Sequence, residues 1–212
     1  MSFSRAASVL TALLSLTGLH ADEGMWTFDN LPLAKIQAKY GFAPDAKWLE
    51  HVRLASLNFG GASGSFISKD GLVVTNHHVG RGAVQSVSGP GAKDYIKLGF
   101  LAKTRAEEIK IPGLVIRTLM AMENVSDKVQ AAVKPGMDAK AATEARQLAF
   151  EALRTDLEKR STGLEVRAVT LYQGGEYWLY TSKAHRDVRL VMAPEMQAAM
   201  FGGDFDNFTY PR

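Results

Sequence analysis

Gly64-Ser65-Phe66-Ile67-Ser68-Lys69-Asp70-Gly71-Leu72-Val73-Val74-Thr75-Asn76-His77-His78-Val79 is the stretch whose reading decides the fold. Ser65 to Ser68 reads as a short strand. Lys69-Asp70-Gly71 reads as a tight turn, because Asp-Gly supplies the positive φ that hairpins need. Leu72 to Thr75 reads as a second strand, rich in β-branched residues. The two make a β-hairpin that delivers Asn76-His77-His78 to its open end. A general base needs such a mount: a rigid element that fixes the imidazole within hydrogen-bonding reach of a nucleophile supplied from elsewhere.

The two histidines are not equivalent. In chymotrypsin-like peptidases a strand, turn and apolar strand end in Thr-Ala-Ala-His or Thr-Asn-x-His. On that pattern Thr75-Asn76-His77-His78 places the base at His78. Strand alternation then turns His77 to the opposite side, in a supporting role. An adjacent-His metal site is disfavoured, since strand neighbours point apart and no HExxH or carboxylate set accompanies them. Upstream, Gly60-Gly61-Ala62-Ser63-Gly64-Ser65 is glycine-rich, yet a strand follows it. It therefore lacks the strand-to-helix turn of a Gly-x-Ser-x-Gly nucleophile, and Ser63 and Ser65 read as strand-entry residues.

Outward from the hairpin, residues 22–58 read as mainly helical, with Leu33, Ile36 and Tyr40 on one side and Trp48, Val52 and Ala55 at i, i+4, i+7. Ala43-Pro44-Asp45 marks the start of the second of those helices. Residues 81–110 are mixed, with a loop at Gly89-Pro90-Gly91. Leu114 to Met120 predicts a strand, and Ser126 to Val133 and Ala139 to Leu157 predict helices. The second of these carries a stripe of Ala145, Leu148, Ala149, Ala152, Leu153 and Leu157. Leu164–Tyr172, Tyr177–Ser182 and Asp187–Met192 predict strands, the first two joined through Gln173-Gly174-Gly175. The expected class is mainly β with helical decorations, a barrel or sandwich.

Composition bounds the function. The 212 residues are 46% hydrophobic and 22% charged, with a net charge of +3 and no cysteine. That is the globular range. Scattered basic residues argue against a nucleic-acid partner or a polybasic membrane anchor. The absence of cysteine excludes a disulfide framework, a cysteine nucleophile and a thiolate zinc site. Residues 1–21 have Arg5, an apolar run from Ala7 to Leu19 and a small-residue end at Ala21 before Asp22 and Glu23. This is a secretory signal pattern, and the run is too short to span lipid. Export to the periplasm or medium is expected, with no membrane span after cleavage.

At the other end, Phe201-Gly202-Gly203-Asp204-Phe205-Asp206-Asn207-Phe208-Thr209-Tyr210-Pro211-Arg212 gathers carboxylates, an amide and aromatics in one glycine-rich loop. Such a loop could grip a peptide amino group through oxygen acceptors, beside an aromatic shelf. With no cap, polar tail or closing strand after it, this end reads as an interrupted chain.

These motifs together resemble the bacterial dipeptidyl-peptidases 7 and 11, exported serine peptidases of the chymotrypsin clan. The resemblance also takes in Glu23-Gly24-Met25-Trp26, Gly99-Phe100, Pro112-Gly113-Leu114 and Asp187-Val188-Arg189-Leu190-Val191. It implies a partial chymotrypsin-like (trypsin-like) double β-barrel, the first barrel plus flanking helices, with residues 22–212 forming the N-terminal portion of the peptidase domain. It implies removal of dipeptides from peptides with a free N-terminus, by acyl transfer to a serine. His78 would be the general base. Asn207 and Phe208 would bind the substrate N-terminus, Phe208 standing where the family usually has Trp. Val79 stands where the family often has Cys. The triad aspartate and the serine would lie past Arg212, so these residues alone are expected to be inactive. No cofactor or metal is implied, and a homodimer of the full-length protein fits the family. Two other readings compete: an HtrA-like endopeptidase or chaperone, which would lack the Gly-Gly-Asp loop, and a non-catalytic peptide-binding module.

Overall fold

The computed structural model describes residues 26–89 and 93–199. The predicted signal segment, Pro90-Gly91 and the loop bearing Asn207 and Phe208 lie outside the described residues. The chain divides into two units, Met1–Asp45 and Ala46–Arg212. In the first, helix α1 (Leu33–Tyr40) stops at Gly41, whose left-handed φ of 67° lets its N–H reach the Gln37 carbonyl.

The second unit is organised by a six-stranded antiparallel sheet in the order β3-β2-β1-β6-β8-β7. Its strands are β1 (Ser56–Asn58), β2 (Ser63–Phe66), β3 (Val73–Thr75), β6 (Ile116–Asn124), β7 (Glu165–Leu171) and β8 (Glu176–His185). The short strands β4 (Phe100–Leu101), β5 (Ile109–Lys110), β9 (Arg189–Leu190) and β10 (Met192–Ala193) form two further antiparallel pairs, β4 with β10 and β5 with β9. Six α-helices accompany the strands among the described residues of this unit: α2 (Ala46–Ala55), α3 (His77–Ser86), α4 (Tyr95–Leu98), α5 (Ser126–Gln130), α6 (Ala139–Arg160) and α7 (Met196–Ala199). A sheet-based fold carrying helices is what the sequence predicts.

Several elements depart from local expectation. The helix expected to run on to residue 58 ends at Ala55 and gives way to β1, because Leu57 is buried and pairs with Gly64 on one side and Thr118 on the other. Tertiary burial overrides the helical spacing there. Pro44 lies two residues ahead of α2 and so outside its first turn. The single strand expected over Asp187–Met192 is split, since Leu190 and Ala193 are both buried and their strands serve different partners. On α6 the buried face is set by Ala142 and Phe150, while Leu148 is 73% exposed. Of the expected stripe, Leu153 and Leu157 pack on the core beside Phe150, the largest apolar side chain of the helix, whereas Leu148 and Ala152 face solvent.

Three apolar clusters hold the unit. Val125, Val129, Phe150, Val166 and Leu179 pack α5 and α6 against β7 and β8. Val84, Ile111, Leu190 and Ala193 tie α3 to the two short strand pairs. Leu57, Ile116 and Val188 lie beneath the hairpin residues Phe66 and Val73. Strand β6 carries a bulge at Met120, and Arg53 of α2 donates to the carbonyls of Leu119 and Met120 there. One guanidinium thus satisfies acceptors that the disturbed ladder leaves over.

Candidate active site

The hairpin forms as predicted. Gly64 pairs with Thr75, Ser65 with Val74 and Phe66 with Val73. Its turn closes with the Ile67 N–H donating to the Leu72 carbonyl, and Gly71 takes a φ of 85°. Gly64 is required by space: a β-carbon there would collide with the Phe59 ring and with the Val74 carbonyl. Thr75 Oγ1 donates to the Ser63 carbonyl at 2.7 Å, which ties the end of β3 back to the start of β2. Ser65 Oγ donates to the Ala55 and Phe66 carbonyls, a structural use of that hydroxyl.

The histidines correct the sequence reading. Strand β3 ends at Thr75; Asn76 is the extended N-cap, and α3 begins at His77. His77 and His78 therefore occupy the first turn of a helix. Alternation along a strand cannot separate them. Neighbours on a helix lie about 100° apart, in adjacent sectors. Burial separates them instead, for His77 is half-buried and His78 is exposed. The His77 imidazole is held below its ordinary pKa, first by burial, then by the Arg81 guanidinium one turn on and by His78. It is biased toward the neutral form, while the exposed neighbour meets solvent.

The joint is anchored on both sides. Phe66 and Val73 pack on the core beneath the hairpin, and Val84 is buried at the far end of α3 in a second core. Leu114 packs against both cores, so the strand and the helix rest on one shared residue. Val84 and the helix itself escaped the sequence reading. Val79, Ala83, Val84 and Val87 do follow a helical spacing, but Gly80 and Gly82 hide it, each costing about 1 kcal/mol in a helix. Gly99, by contrast, fits its motif. Its φ is 69°, and a β-carbon would lie 3.1 Å from the Ala193 carbonyl oxygen.

A further imidazole, His185, lies elsewhere in this unit. His185 Nε2 is 3.0 Å from Thr118 Oγ1, and its ring meets Phe66 edge-on at 5.7 Å. Burial, then Lys183, lowers its pKa. It closes the edge of the hairpin core. In the motif that follows, Asp187 pairs with Arg189 at 3.0 Å while Val188 and Leu190 are buried, a structural role. Among the described residues no three His, Cys, Asp or Glu gather as metal ligands, and no helix is long and apolar enough to cross a membrane. Asn207 and Phe208 lie outside the described residues, so their placement beside His78 is not part of this geometry.

The exposed His78 imidazole thus lies in the first turn of α3, at the junction of a hairpin and a helix. Residues 21–212 match Peptidase S46, and the chain belongs to that family. It is 35% identical to the dipeptidyl-peptidase 7 of Phocaeicola vulgatus over 219 residues, covering 96% of this chain and 30% of that protein. It is 31% identical to the Asp/Glu-specific dipeptidyl-peptidase of Porphyromonas gingivalis, covering 96% of this chain and 30% of that one. The crystal structure of Porphyromonas endodontalis DPP11 in complex with the dipeptide Arg-Glu matches with a TM-score of 0.71 at 29% identity, covering 91% of this chain and 29% of that one. The chain spans about three tenths of the length of the curated relatives it matches.

Proposed function

We propose that the full-length protein is an exported serine dipeptidyl-peptidase whose general base is His78, and that residues 22–212 form the first part of its peptidase domain, in a chymotrypsin-like barrel arrangement. The observation that carries this reading is the exposed His78 imidazole, at a hairpin–helix joint whose two arms are anchored in separate cores, in a chain of the Peptidase S46 family. The names of the relatives support the substrate class: peptides cut two residues from a free amino end.

The chemistry follows from the base. A serine hydroxyl from outside these residues attacks the carbonyl carbon of the second substrate residue, and His78 takes the hydroxyl proton. The C–N bond then breaks, and the protonated imidazole gives its proton to the departing amine. Water attacks the acyl-serine next, His78 takes a proton from it and returns that proton to the serine oxygen as the ester C–O bond breaks, and the released dipeptide acid loses its own proton to solvent. Asn207 supplies an oxygen acceptor for the substrate ammonium, and Phe208 supplies a shelf beside it. These residues alone lack the nucleophile and are inactive in this reading.

Release of a fluorophore from dipeptidyl substrates by the full-length protein tests the reading. Free N-termini are expected to be required, with acidic and apolar second residues compared side by side. Equal cleavage of blocked substrates would favour the endopeptidase alternative. No cleavage of any of them would favour a peptide-binding module.

A further inference from the structure

The apolar cluster of Val125, Val129, Phe150, Val166 and Leu179 supports a feature unrelated to the histidines. Between α5, α6 and the β7–β8 turn lies a cleft of about 530 Å³, within the size range of small-ligand sites. Its lining is polar over an aromatic floor. Phe150 and Tyr177 meet edge-on at 5.1 Å beneath it. Arg146, Gln130, Gln147, Thr170 and Gln173 line its walls. Arg146 is the only charged residue in that lining, so the described cleft is cationic with no carboxylate to quench it.

Two details point to a ligand. Arg146 Nε donates to Gln130 Oε1 at 3.0 Å. That bond fixes the plane of the guanidinium and makes no use of its two terminal nitrogens, the pair whose fork matches a carboxylate. The lip of the cleft is also strained. Tyr172 and Gln173, neither of them glycine, hold φ of 49° and 55°, and Gly174 follows at 97°. Consecutive left-handed residues of this type persist where the surroundings over-determine them, and they cluster at ligand sites. They bring Gln173 and Gly174 to the lining of the cleft, across from the α6 residues.

We infer that this cleft binds the free carboxylate end of a short peptide, with Arg146 forking the carboxylate and the glutamine amides pairing with peptide groups. A single arginine among amides and hydroxyls suits one negative charge and a hydrogen-bonding backbone better than it suits a phosphate, which draws clusters of cations. The site is separate from the histidine pair and does not depend on its catalytic reading.

The test uses the full-length protein and calorimetric titration with N-acetylated dipeptides, whose blocked amino end denies them the site that reads a free N-terminus. Saturable binding of the free-acid form is expected, with the C-terminal amide at least about tenfold weaker, as for loss of a charged hydrogen bond. Arg146→Ala should abolish the preference for the acid, and Arg146→Lys should restore part of it. Gln173→Ala, on the opposite wall, should weaken both forms, while His78→Ala should leave binding unchanged. Equal binding of acid and amide, an Arg146→Ala variant that melts normally and still prefers the acid, or competition by inorganic phosphate at the same strength would each overturn the proposal. So would an absence of binding.

Discussion

The hairpin–helix joint and the block formed by β6, β8, β7, α5 and α6 are built to different standards. In the block, Leu179, Val125 and Val129 are the most fully buried side chains, at 2%, 1% and 0% exposure, and β7 and β8 pair without interruption from Glu165↔Ser182 to Leu171↔Glu176. In the joint, from Ser56 to Gly89, Leu57 and Val84 are the buried apolar residues, and the strands are three or four residues long. The site is thus carried by backbone hydrogen bonds and two anchors, and bulk stability is generated elsewhere. Residues that decide activity and residues that decide stability should separate accordingly.

The largest test of that separation is His78→Ala in the full-length protein. Turnover should fall by about a thousandfold or more, since removal of a triad member leaves only residual catalysis, and the unfolding midpoint should not move. His77→Ala should retain turnover within about tenfold. Equal losses for both would undo the assignment drawn from their burial. Leu179→Ala is the mirror case. It should cost about 2–5 kcal/mol, read as a lowered denaturant midpoint, with turnover per folded molecule unchanged.

The same contrast explains what could be read beforehand. Strands β7 and β8, helix α6 and the hairpin were legible because each has a local signature: alternation, helical spacing, or an Asp-Gly turn. The His78 position was legible as a motif, yet its backbone was not. Gly80 and Gly82 erase the helical signal, and only Val84 entering a core shared with Ile111 and Leu190 makes α3 form. Strand β1 was illegible for a related reason. Its three residues continue a helical pattern in sequence, and Leu57 becomes a strand residue only because β2 and β6 lie on either side of it. Short elements fixed by distant partners leave little trace in their own residues.

Gly64→Ala sharpens the comparison from within the joint. The added methyl must displace the Phe59 ring and press on the Val74 carbonyl, so β2 and β3 must part. Overpacking of this kind costs about 1–3 kcal/mol. Because the strain falls on the strand that leads into the histidines, turnover should drop along with the midpoint. The same substitution at Gly71 meets no neighbour and acts only through its φ of 85°, so it should lower stability with less effect on turnover. If the two variants lose turnover equally, the joint is not held by the close approach at Gly64.

The smallest expected effect is a pH dependence. His77 in the joint and His185 at its edge both have folded pKa values below the ordinary imidazole value, chiefly through burial, aided by Arg81 and Lys183 respectively. A histidine with a depressed folded pKa costs nothing while it is neutral in both states. As pH falls through the unfolded value of about 6.5, the unfolded chain takes up protons that the folded one refuses, and stability declines. The decline levels off once pH passes the folded pKa. His77→Gln should therefore flatten the fall in unfolding midpoint between pH 7 and pH 5, and imidazole proton resonances should show His77 titrating below the ordinary value. A midpoint that rises on acidification, or a slope untouched by the substitution, would mean that His77 is not half-buried in the first turn of α3. The distinction between a supporting His77 and a solvent-facing His78 would then fail with it.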